Sequence, residues 1–292
     1  MYRLAIHLTF LLGLLAPAIT ASPFLRIYTY GDSLSDPLFT NGPVAVELLA
    51  GKLGVTPASH SNFAVGGATT GVGNYADGGL VSTPSPRGGM TTQLNDTIAG
   101  IDPADSLFVV WGGPNDFLAP DPDVTFPEGV AARAITNLVT IVMRLKGAGA
   151  ENILVPGLPD LGLTPFYQSM PAPAAANATA LSLAFNQGLR ASLPADVIFI
   201  DTATLMRHVI DNPAAFGFSN VTGSCLTPAG VCSNPDEYLF WDGFHPTAAA
   251  HEILAERFEA AVVPEPGTVV LVLGGIGAAA VARRVRPGLR RR

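Results

Sequence analysis

Short apolar runs alternate along the chain with longer stretches in which apolar residues recur every three or four positions. Phe24 to Tyr30 is aromatic and β-branched and breaks at Gly31, which predicts a buried strand ending in a loop. Ser61 to Val65, Leu107 to Trp111, Ile153 to Val155 and Val197 to Ile200 are further strand candidates. Helical periodicity marks Val44 to Leu53, Thr91 to Ala99, Glu128 to Lys146, Ala174 to Leu193 and Ala248 to Val262. Strands alternating with helices imply βαβ units and a parallel central sheet covered by helices on both faces, a three-layer α/β/α sandwich.

In such sheets ligands sit outside the carboxyl ends of the strands. The loops predicted there are Gly31-Asp32-Ser33-Leu34-Ser35-Asp36, Gly66-Gly67-Ala68, Gly112-Gly113-Pro114-Asn115-Asp116 and Pro156-Gly157-Leu158-Pro159-Asp160. Four Gly-rich polar loops are thus expected to converge on one edge. The Pro-rich pieces Pro84 to Pro86, Pro114 to Pro127 and Pro171 to Pro173 read as surface loops within a single domain.

Both ends break the pattern. Residues 1–21 carry Arg3, an apolar run from Leu4 to Leu15 and small residues at Ala16, Ala18 and Ala21, the layout of a secretory signal peptide. The run is shorter than the roughly 20 apolar residues of a spanning helix. At the other end, residues 264–292, Val263-Pro264-Glu265-Pro266 leads into an apolar stretch from Gly267 to Ala282 and then an Arg-rich end, a stop-transfer arrangement. This arrangement resembles the PEP-CTERM sorting signal of Gram-negative bacteria. The resemblance implies an exosortase-type processing enzyme as partner, transient insertion of the tail into the inner membrane, and a body in the periplasm, on the cell surface or in the extracellular matrix. An ordinary C-terminal membrane helix is the alternative reading.

The body between, residues 22–263, holds 9 Lys and Arg against 22 Asp and Glu, a net −13. Nucleic acid and anionic membrane are disfavoured as main partners, because phosphate binding needs clustered cations. A chain that is 48% hydrophobic and 13% charged, with a mean hydropathy of +0.37, has material for a core and is no disordered polyelectrolyte. In an oxidising compartment the only two cysteines, Cys225 and Cys232, are expected to pair across a short loop, with a metal site as the rival use.

The candidate chemistry starts from Ser33. A hydroxyl just past a strand end can face the sheet edge while the next helix aims its N-terminal amides at it, yet a lone serine there is also an ordinary turn or cap residue. His245 changes its meaning. It stands in Trp241-Asp242-Gly243-Phe244-His245-Pro246, before the final helix, three residues after Asp242. A Ser hydroxyl becomes a competent nucleophile when an imidazole accepts its proton, and a carboxylate on the other ring nitrogen fixes the tautomer. Asp242 could instead cap the helix, and His245 could be a satisfied loop residue. The Asn115 side chain and the Gly67 backbone N–H are candidate donors to an oxyanion, or else an Asx-turn and a positive-φ position.

These residues fall into blocks that resemble the SGNH/GDSL hydrolases: Gly31-Asp32-Ser33-Leu34 the first, Asn62-Phe63-Ala64-Val65-Gly66-Gly67-Ala68 the second, Gly112-Gly113-Pro114-Asn115-Asp116 the third and Asp242-Gly243-Phe244-His245-Pro246 the fifth. Leu158-Pro159-Asp160-Leu161-Gly162 is similar to the lipase and thermolabile-haemolysin-like branch. The resemblance implies a flavodoxin-like α/β/α fold, Ser33 as nucleophile, His245 as general base and then acid, and Asp242 orienting His245. The oxyanion hole would comprise the Ser33 and Gly67 backbone N–H groups, with Gly66 as fallback, and the Asn115 side chain. It further implies an acyl-enzyme route on an acyl ester substrate with no metal or organic cofactor. Asp32, Asp36 and Asp116 are expected to hydrogen-bond the loops. A polysaccharide O-acetyl esterase, an acyl transferase or a non-catalytic matrix-binding protein would use the same scaffold.

Overall fold

The computed structural model describes residues 23–78, 81–118 and 127–263, so the leader and tail expectations lie outside the described residues. The first apolar run becomes β1 (Arg26–Gly31), with β2 (His60–Asn62) on one side and β3 (Ser106–Trp111) on the other, followed by β4 (Asn152–Pro156) and β5 (Ile198–Ile200). Every pair is parallel and the order is β2-β1-β3-β4-β5, the flavodoxin-like order, which puts a topological switch beside β1. Seven helices are described: α1 (Ala45–Lys52), α2 (Met90–Thr97), α3 (Pro127–Gly147), α4 (Pro165–Gln168), α5 (Ala174–Ser192), α6 (Thr202–Asp211) and α7 (Ala248–Val262).

The central strand shows why there are three layers. All six residues of β3 are buried, and their side chains alternate between faces. Leu107, Val109 and Trp111 join Leu49 of α1 and Phe258 of α7 in one core. Phe108 and Val110 join Leu94 of α2, Leu138 of α3 and Phe185 of α5 in the other. Each such side chain contributes roughly 1.5–3 kcal/mol through burial, so a sheet apolar on both faces is stable only when clad on both.

The observed elements depart from the expected ones in four places. The second strand stops at Asn62 instead of Val65, because the chain turns through Gly66 and Gly67. Residues 202–211, unassigned by the pattern, form α6, capped by the Asp201 side chain. Pro114–Phe117 is a 3-10 turn with Asn115 and Asp116 buried, where a surface loop was expected. An excursion adds β6 (Asn220–Ser224), β7 (Leu226–Thr227), β8 (Gly230–Val231) and β9 (Tyr238–Phe240), with β6 paired to β9 and β7 to β8. Cys225 and Cys232 form a disulfide at the base of the β7–β8 hairpin. Among the described residues no helix is long and apolar enough to cross a membrane.

Candidate active site

Gly31 ends β1 where a Cβ would lie 2.7 Å from the Trp111 carbonyl, so only glycine lets the chain leave the sheet this close to β3. Two residues later the Ser33 Oγ lies 2.8 Å from Nε2 of His245, 212 positions away in sequence. The other ring nitrogen, Nδ1, is 2.9 and 2.8 Å from the two Asp242 oxygens. Asp242 Oδ1 also accepts the backbone N–H groups of Phe244 and His245, both at 2.8 Å, which curls the Asp-x-x-His segment into a closed turn. Burial pushes the Asp242 carboxyl up, but the hydrogen bond and charge of His245 together with those two amides outweigh it and hold it below the usual carboxylate range.

The expectation that the next helix would aim its amides at Ser33 is not met. The element after Ser33 is a 3-10 turn, Pro37–Phe39, capped by Asp36, and the first amide of α1, Ala45, donates to Nδ1 of His251 at 3.2 Å. Nor does Asp242 cap the final helix; Thr247 does. His60 and His208 lie elsewhere, against Thr29 and Asn212.

The four loops do converge. Ser33, Gly67, Asn115, Pro159, Phe244 and His245 line one cleft of about 250 Å³ whose wall is otherwise mostly apolar. The two candidate glycines differ. The Gly66 N–H donates to Asp36 Oδ2 at 2.9 Å and is therefore committed. Gly67 has φ +80, and a Cβ there would meet Asn74 Oδ1 at 2.5 Å. Asn115 donates one amide hydrogen to the Ala68 carbonyl at 3.0 Å, which fixes the plane of its NH₂ group and leaves a second hydrogen.

The aspartates tie the loops as expected. Asp36 joins its own turn to Gly66, and buried Asp116 accepts from the Thr70 N–H and hydroxyl at 2.9 and 2.6 Å. Asp32 is fully buried beneath Ser33 and accepts the Leu34 N–H at 3.0 Å. Burial pushes its carboxyl up to about 7, even though the Leu34 N–H and the charge of His245 pull the other way. Asp116 is pushed up by burial to about 6.

Sequence reading misses two supporting amides, Gln93 and Asn74, and quotes a third, Asn62, only as part of a block. Gln93 of α2 accepts from the Gly31 N–H at 3.0 Å and donates to the Gly31 carbonyl at 2.8 Å, gripping the strand end that presents Ser33. Asn62 donates to the Ser35 carbonyl at 2.7 Å, and Asn74 donates to the Gly66 carbonyl at 3.0 Å. Among the described residues no group of three or more His, Cys, Asp or Glu could hold a metal ion.

A hydroxyl, an imidazole and a carboxylate in series beside free N–H donors form an arrangement able to perform acyl transfer. Residues 262–286 match the PEP-CTERM protein-sorting motif. Esterase EstA of Pseudomonas aeruginosa is 30% identical over 82% of this chain and 47% of its own length. An intergenic-region protein of Pseudomonas putida is 30% identical over 80% of this chain and 48% of its own length, so the chain spans about half of these relatives. Acetylajmalan esterase 2 of Rauvolfia serpentina is 29% identical over 86% of this chain and 94% of its own. Residues 27–258 match the GDSL-like Lipase/Acylhydrolase model, and the chain belongs to that family.

Proposed function

We propose that this protein is an exported serine ester hydrolase that cleaves carboxylic esters through an acyl-enzyme. The observation that carries the reading is the continuous Ser33–His245–Asp242 hydrogen-bonded series opening into an apolar cleft. Ser33 Oγ attacks the ester carbonyl while His245 Nε2 takes its proton. Asp242 keeps the remaining ring proton on Nδ1 and offsets the imidazolium charge. The oxyanion is received by the Ser33 and Gly67 N–H groups and the second amide hydrogen of Asn115. His245 then returns its proton to the departing alcohol, and water activated by the same imidazole releases the acid. The sorting motif supports export, with the tail beyond Val263 as the processing substrate of an exosortase-type enzyme.

The test is covalent. A fluorophosphonate probe should modify the peptide containing Ser33, and p-nitrophenyl esters should be hydrolysed. Ser33→Ala should abolish both. A chain that stays unlabelled and inactive with His245 intact would favour a matrix-binding protein on this scaffold.

A further inference from the structure

Neither oxyanion donation nor backbone conformation explains a glycine at position 66. Its N–H is committed to Asp36, and its φ lies outside the left-handed region. Space explains it: a Cβ on Gly66 would lie 2.0 Å from Cε2 and 2.2 Å from Cζ of Phe39. The Phe39 ring therefore occupies the place of the missing side chain. The same ring lies against the imidazole of His245, with centroids 5.0 Å apart and planes inclined by 45°.

Asp36 fixes both the ring and the backbone it rests on. Its carbonyl accepts the Phe39 N–H at 3.2 Å, its Oδ1 the Leu38 N–H at 3.1 Å and its Oδ2 the Gly66 N–H at 2.9 Å. The next residue, Thr40, donates to the Pro246 carbonyl at 2.9 Å. A ring anchored on the Ser33 side thus touches the base of the other side. His245 needs such a neighbour. Rotation of an imidazole about its last side-chain bond has only broad preferences. Its Nδ1 is almost equally near both Asp242 oxygens, at 2.9 and 2.8 Å, so the carboxylate alone does not select one tilt. A flat apolar ring limits that tilt and offers no polar atom to compete for either ring proton.

We infer that Phe39 is a positioning residue for the general base, and that position 66 is glycine to admit its ring. The ring holds the imidazole in the one orientation that brings Nε2 to Ser33 and Nδ1 to Asp242 together. The inference rests on the proposed Ser33–His245–Asp242 reading and adds to it the residue that sets the angle of the base. Phe39 also lines the cleft, so the test has to separate action through His245 from contact with substrate.

Two double-variant cycles on the whole chain, read as kcat and KM on a p-nitrophenyl ester, make that separation. Gly66→Ala drives a methyl into the ring and should lower kcat roughly 10–100-fold with KM nearly unchanged, as a small misplacement of a reacting group does. Phe39→Leu lacks the two atoms the methyl would strike, and should by itself lower kcat about 5–20-fold. With Leu at 39 the methyl has room, so adding Gly66→Ala should cost less than about twofold more. In the second cycle, Phe39→Leu should change the residual kcat of His245→Ala by less than about twofold, since a residue acting through the imidazole loses its effect once the imidazole is gone. This cycle stands even where Gly66→Ala fails to fold, which melting curves report. Three results would overturn the inference: a Gly66→Ala loss that multiplies with that of Phe39→Leu, a Phe39→Leu effect confined to KM, or an undiminished Phe39→Leu effect without His245. Each leaves the ester hydrolase reading intact. His245→Ala as active as the wild type would sink that reading itself.

Discussion

The two halves of the site are built in different ways. Ser33, Gly67 and Asn115 sit on loops that leave buried parallel strands, and each loop is held by side chains from elsewhere: Gln93 on Gly31, Asn62 on Ser35, Asp36 on Gly66, Asp116 on Thr70. The Asp242–His245 half is mostly local, with one backbone bond from outside, the Phe166 N–H of α4 to the Gly243 carbonyl at 2.9 Å. Its turn closes on its own carboxylate and hangs from the short β6–β9 pair, and the disulfide hairpin is bonded to the same segment through Cys225 to Phe240 and Leu226 to Trp241. Few bonds stitch the halves together: Thr40 donates to the Pro246 carbonyl at 2.9 Å, Asn41 accepts the Ala248 N–H at 2.8 Å, and Ala45 bonds His251. The nucleophile side therefore inherits its precision from the sheet, whereas the base side carries its own scaffold and needs only docking.

Substitutions that leave each scaffold standing separate chemistry from scaffold. Ser33→Ala removes the proposed nucleophile and should lower kcat by about 10⁶ with no loss of thermal stability, since the hydroxyl supports no other described contact. Asp242→Asn should cost less, about 10⁴, because the amide can still accept from the Phe244 and His245 N–H groups but no longer enforces the Nδ1–H tautomer. Asn115→Ala should cost about 10²–10³ in kcat with little change in KM if, as proposed, its second amide hydrogen serves the oxyanion. Steady-state kinetics on a p-nitrophenyl ester, with melting curves alongside, checks all three. If Asp242→Asn proved as damaging as Ser33→Ala, the base half would be failing to fold, and its self-contained character would be refuted.

What the sequence discloses follows the same division. Ala248–Val262 matches its expected span to the residue, and Ala174–Ser192 and Pro127–Gly147 do so within one residue at each end. Long helices with one buried face write a strong period into the chain. Helix α6 escapes because its apolar stripe covers barely two turns after a three-residue strand. Ser33, Asp242 and His245 are legible because the Asp-x-x-His turn and the Gly-Asp-Ser loop are local patterns. Gln93 is not. A single amide in an amphipathic helix carries no signal, and its role exists only through a contact 62 residues away.

The smallest expected effect falls on the carboxylate beneath the nucleophile. Asp32 in the folded chain holds its proton up to about pH 7, whereas an unfolded Asp releases it near 3.9. Between those values the native state binds more protons than the unfolded one. The contribution of Asp32 to stability is thus fully present below about pH 4 and is lost as pH rises through about 7, a decline of a few kcal/mol at most. Asp116, raised to about 6, acts in the same direction. His251 acts in the opposite one: burial lowers it to about 3, so its contribution is present above about pH 6.5 and fades as pH falls. Both remain in the variant, so the difference between wild-type and Asp32→Asn unfolding free energies reports Asp32 together with its charge coupling to Asp116 and His245. That difference should drift steadily against the wild type from pH 4 to 7 and be flat above pH 8. The amide retains an acceptor for the Leu34 N–H, so Ser33 should stay in place and the probe should still label it. A difference curve with no slope across that window would mean that Asp32 ionises as freely as a surface carboxylate, and the rigid, dry footing assigned to the nucleophile half would be wrong.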